Sequence, residues 1–155
     1  MKTKSNSNLK QLLLQKCQKR IEEQIAAVQG HIKDIQESLA SETKSSAGDK
    51  HETGRAMIQL EREKAGKRLA EIEKEHAILS KIDARNSAQI IGFGSLVFTD
   101  KGNYFIAVSA GEVEVDKLKF YTVSSGSPIG KTLTGKTKTD RVKFRDQEIT
   151  INSVH

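Results

Sequence analysis

Asp49 and Glu52 stand three residues apart inside a short polar stretch, residues 41–55, which reads Ser-Glu-Thr-Lys-Ser-Ser-Ala-Gly-Asp-Lys-His-Glu-Thr-Gly-Arg. On a helical turn that spacing brings both carboxylates to one side. Two hard oxygen donors so placed suit a divalent cation such as magnesium, which keeps most of its waters and takes only one or two protein carboxylates. The same spacing is also a capping box, in which Asp49 accepts from a backbone N–H and Glu52 reaches back to the cap. The two readings are compatible. Lys44, Lys50, His51 and Arg55 surround the acids. Each is a candidate contact for RNA or for an anionic protein surface, and equally an ordinary solvated side chain.

Long segments with helical periodicity flank this stretch. Over residues 9–39, Leu14, Cys17, Ile21, Ile25, Val28, Ile32, Ile35 and Leu39 recur in steps of three or four and define one seam. About 30 residues at about 1.5 Å each make a helix of about 45 Å. Gly30 weakens it by about 1 kcal/mol relative to Ala. Beyond the polar stretch Met57, Leu60, Ala65, Leu69, Ile72, His76, Leu79 and Ile82 repeat the seam over a matching length. The chain is therefore expected to run out along one helix and return antiparallel along another, with residues 41–55 at the turn. His76 reads as a packing residue on the seam, because no second His or Cys lies at metal-site spacing on that helix.

At residues 83–87 pattern and composition change together. The two tyrosines and five phenylalanines all lie beyond this point. We place a domain boundary there, giving a coiled-coil hairpin over 1–83 and a C-terminal domain over 84–155. The second half reads as strands at 89–99, 104–109, 117–123, 141–144 and 148–152, with a hairpin turn at 100–103. Ser127 as N-cap and Pro128 at the first helical position open a short helix ending near Gly135. The fold class expected is α+β.

With 155 residues, 35% hydrophobic and 30% charged, the chain reads as soluble with a modest core. No apolar run approaches the roughly 20 residues of a membrane span and residues 1–8 are polar, so a cytoplasmic location is expected. Cys17, the single cysteine, makes no internal disulfide and reads as a small buried hydrophobe. A net charge of +6 suggests an anionic partner. The absence of Trp and of an aromatic-rich basic motif makes any DNA or RNA contact indirect. Residues 130–137, Gly-Lys-Thr-Leu-Thr-Gly-Lys-Thr, match the P-loop pattern letter for letter. A P-loop must follow a strand and open a helix, and here the order is reversed. Gly92-Phe93-Gly94 is a weaker dinucleotide fragment, with Val at 97, and strand glycines explain it.

Two stretches resemble the bacterial Gre transcript-cleavage factors. Gly48-Asp49-Lys50-His51-Glu52-Thr53 is similar to the family's tip in having Gly-Asp, two variable residues and Glu. Residues 123–136, Val-Ser-Ser-Gly-Ser-Pro-Ile-Gly-Lys-Thr-Leu-Thr-Gly-Lys, look like the family's Ser-Pro-Ile segment in an FKBP-like C-terminal domain. The likeness extends over nearly the whole chain. It implies an elongation factor that enters the secondary channel of RNA polymerase and stimulates cleavage of backtracked RNA. Asp49 and Glu52 would help hold a catalytic Mg2+ shared with the polymerase and not bound stably by this chain alone. The partners implied are bacterial RNA polymerase and the nascent RNA 3' end, the chain is expected to be a monomer, and the nuclease is the polymerase itself. The family commonly has Asn after the tip Glu and an aromatic a few residues on. This chain has Thr53, Gly54, Arg55 and Ala56. Gre relatives that inhibit the polymerase without cleavage, and a structural coiled-coil adaptor, are the alternatives.

Overall fold

The computed structural model describes the backbone of residues 2–44 and 48–155 and the side chains of residues 6–41 and 53–155. Two long helices, α1 (Lys2–Lys44) and α2 (Gly48–Leu79), precede a six-stranded sheet and one short helix. This is the α+β class expected, a helical hairpin followed by a small sheet domain. The helices extend further into the polar stretch than its composition suggests, and only residues 45–47 lie outside the described backbone. Residues 41–55 contain no proline, and their glycines cost a helix only about 1 kcal/mol each, so polarity alone does not break it.

The chain forms two compact units, one made of Met1–Arg20 with Ala77–His155 and one of Ile21–His76. In the second unit Ile32, Ile35 and Ala65 are buried together, with Val28, Leu39, Ile58 and Leu69 packed against them. His31 lies 3.1 Å from Glu61 and His76 lies 3.5 Å from Glu22, so rising numbers on α1 meet falling numbers on α2. The helices are antiparallel. Met57 and Leu60 do not join the seam as their spacing suggested, being 69% and 52% exposed. Counting back from buried Ala65, Ile58 falls within about 20° of the same face, whereas Met57 and Leu60 fall about 80° and 140° away.

In the other unit the strands are β1 (Leu96–Thr99), β2 (Asn103–Ala107), β3 (Gly111–Val115), β4 (Leu118–Ser124), β5 (Arg141–Phe144) and β6 (Gln147–Val154), in the order β3-β4-β2-β1-β6-β5. β2 and β4 run parallel and every other neighbour pair is antiparallel. The single long strand expected over 89–99 is shortened to β1. Gly94 turns the chain at φ +88°, and the Ile91 N–H donates to the Lys136 carbonyl at 2.8 Å, outside the sheet. β3 escapes a sequence reading, although Gly-Glu-Val-Glu-Val alternates; Asp116 and Lys117, both at positive φ, turn it tightly into β4.

Helix α3 (Pro128–Leu133) supplies Ile129 and Leu133 to a core with Ile91, Val97, Ile106, Val142, Ile149 and Ile151. As expected, Ser127 caps it: its Oγ accepts from the Gly130 N–H at 3.1 Å, and Pro128 fills the first turn. Strand β5 follows this helix, so the P-loop letters lie on a helix-to-strand order. The sheet positions alternating with that core, Leu96, Phe105, Phe120 and Thr122, are also buried. There the first residues of α1 reach the sheet, with the Cys17 thiol hydrogen-bonded to the Thr122 side chain.

Candidate functional site

Helix α2 begins at Gly48, which puts Asp49 and Glu52 in its first turn. The backbone is helical across both, so their spacing places the two Cβ atoms on one side, about 5–6 Å apart. Their side chains, with those of Lys44, Lys50 and His51, lie outside the described residues, and so does the capping box read for the same pair. Lys44 is the last residue of α1, and Arg55, three positions after Glu52, is exposed. A helix N-terminus carries partial positive charge from its unpaired amides, which favours carboxylates in the first turn whatever else they do.

Two carboxylates are too few to complete the shell of a hard cation. They suit magnesium, which fills its remaining positions with water or with oxygens from a second macromolecule. Among the described residues no group of three or more His, Cys, Asp or Glu is placed to hold a metal ion. The donor chemistry of Asp49 and Glu52 therefore fits a shared ion rather than an enclosed one.

Other groups with chemical capacity are held in structural roles. Burial pushes the Cys17 thiol from its ordinary 9.0 up to about 11, so it stays protonated and unreactive at neutral pH. The Lys10 ammonium, on a residue only 5% exposed, donates to the Asn86 carbonyl at 2.8 Å and the His155 carbonyl at 3.3 Å. Desolvation lowers its pKa, against the opposing field of Asp83. Sequence reasoning missed Lys10, yet its place three residues before Leu13 and seven before Cys17 puts it on the buried stripe of α1. The exposed Asp83 carboxyl is lowered by hydrogen bonds from the Arg85 side chain and backbone. A groove of 660 Å³ includes Asn6, Phe98, Asp116, Lys138 and His155 in its lining. None of its lining residues forms a nucleophile–base pair.

No protein-family model and no curated protein matches this chain. Among solved structures it is similar to one described as "Structure of the transcription factor Gfh1", at 21% identity over 89% of this chain and 92% of that one, with a TM-score of 0.37.

Proposed function

We propose that this chain is a Gre-type transcription factor whose helical hairpin enters the secondary channel of RNA polymerase and stimulates cleavage of backtracked RNA. One observation carries the reading: two antiparallel helices joined by a continuous apolar seam, with two carboxylates one turn apart at the start of the returning helix. The seam stiffens the pair, and the acids stand beside the turn, where a hairpin can deliver them to a second macromolecule. The resemblance of residues 48–53 and 123–136 to the Gre factors supplies the partner.

Asp49 and Glu52 bind and orient, each offering carboxylate oxygens toward the polymerase's own acidic centre. When bound there, a shared magnesium supplies Lewis-acid stabilisation of the attacking and leaving oxygens of phosphodiester hydrolysis. Lys44, Lys50, His51 and Arg55 offset the repulsion between the hairpin's acids and an anionic centre or RNA end. The sheet domain docks on polymerase and carries no catalysis in this reading, since fold likeness to prolyl isomerases does not transfer activity.

Neutral isosteres separate this role from capping. Asn caps about as well as Asp, and Gln replaces Glu in the box, so Asp49→Asn with Glu52→Gln leaves a merely structural pair intact. If the pair holds a cation, RNA cleavage in backtracked complexes collapses while helix content and polymerase affinity persist, with partial rescue at high magnesium. Unchanged cleavage in the double variant would sink the assignment. Thr53-Gly54-Arg55-Ala56 replaces the family's usual residues after the acids. Wild-type chain that binds polymerase and slows transcription without cleaving RNA would therefore establish the inhibitory reading in place of this one.

A further inference from the structure

We propose that the free edge of β3 is a strand-pairing site for an extended basic segment of a partner chain, and that Lys16 and Arg20 of α1 hold it closed. β3 is one of the two outer strands of the sheet. Val115 pairs with Leu118 across the two-residue turn, so Gly111, Val113 and Val115 direct their backbone groups at β4. Ala110, Glu112 and Glu114 direct theirs outward. All three outward carbonyls are occupied from α1: Arg20 Nη1 donates to Ala110 O and, at 3.1 Å, to Glu112 O, and Lys16 Nζ donates to Glu114 O at 2.6 Å.

The match is geometric. Lys16 and Arg20, four residues apart on a helix, are separated by about 6 Å along its axis. Alternate carbonyls of a strand repeat every 6.8 Å or so. Gly111 completes the arrangement: a Cβ there would meet Arg20 Nη1 at 3.5 Å, and its φ of +81° disfavours a side chain. The cations thus take the acceptors that an added strand would use.

The occupant is set by charge. Glu112 and Glu114 are exposed and, two residues apart, lie on one face of the strand. Lys119 of β4 stands 3.6 Å from Glu112 with both side chains solvated, a weak pair that leaves the face acidic. An incoming strand with Lys or Arg at alternate positions gains the backbone ladder and two opposite-charge cross-strand pairs. A second β3 would set glutamates against glutamates.

The test is independent of any polymerase role. A fluorescein-labelled peptide, Thr-Arg-Val-Lys-Val-Arg-Thr, is titrated against the full chain by anisotropy, with amide exchange followed by NMR. Lys16→Gln with Arg20→Gln is expected to bind it at least tenfold tighter than wild type and to slow exchange at the Glu112 and Glu114 amides. Adding Glu112→Gln and Glu114→Gln should abolish the gain. Equal affinity for wild type and the double variant, or unslowed exchange at those two amides, overturns the proposal; so does self-association of the double variant in place of peptide binding. Should the double variant fail to fold, the exposed single change Lys16→Gln decides, and no gain in affinity there counts against the lock.

Discussion

Gly130 illustrates how much one missing methyl group can matter. A Cβ at this position would run into the Ser124 carbonyl, so the close approach of α3 to the end of β4 needs glycine there. Gly130→Ala should lower stability by about 1–3 kcal/mol, read as a shift in the urea midpoint at unchanged slope. Ser127→Ala removes the cap on the same helix and should cost about 1 kcal/mol in the same assay. The cap was legible in the sequence because its chemistry is complete within Ser-Pro-Ile-Gly. The glycine's role was not, because its neighbour is a backbone oxygen brought there by the fold. Cys17 gives a pH prediction. Its thiol titrates near 9.0 when exposed and near 11 when folded, so the folded state binds the proton more tightly. Its stabilisation is fully present below about pH 9 and is lost as pH rises toward about 11, and alkylation by iodoacetamide at pH 8 should follow the unfolding rate.

The helical seam was the most legible of the larger elements, since steps of three and four over 31 positions of α1 admit few other structures. Ile35, 4% exposed and inside the Ile32–Ala65 cluster, is its best probe. Ile35→Ala should cost about 2–5 kcal/mol, with hydrogen exchange accelerating in residues 21–76 before the sheet responds. The error at Met57 and Leu60 arose where Gly54, Arg62 and Gly66 leave the period underdetermined, and only contact with α1 selects Ile58. The sheet was less legible. β5 and β6 alternate clearly and were found, whereas β3 has only two inward valines and borrows its definition from β4. The parallel pairing of β2 with β4 has no local signature, because no short connection joins parallel strands.

For the molecule as a whole, the class and the order of elements followed from composition: aromatics confined to the second half, periodic helices to the first. The candidate acids were legible as a pair, and the helix that carries them places them in its first turn. What composition concealed is that residues up to Arg20 belong with the sheet unit, since apolar side chains on a seam do not say which neighbour covers them. If the seam over residues 21–76 is satisfied within one chain, sedimentation should give a monomer at micromolar concentration. A stable dimer abolished by Ile35→Asp would support the coiled-coil adaptor instead.

The joining of the earliest and latest residues in one unit has a kinetic meaning. Lys10 reaches the His155 carbonyl across 145 positions and Asn6 meets the His155 ring across 149, whereas the hairpin unit is closed by contacts much nearer in sequence. Loop closure over such separations slows folding, so the hairpin should form early and the sheet unit late. On the ribosome the first turns of α1, with Leu13 and Cys17 exposed, must wait until β6 has been synthesised before they can be buried. During that interval the nascent chain displays an apolar stripe that a holdase chaperone can bind, and the last strand translated is the one that releases it.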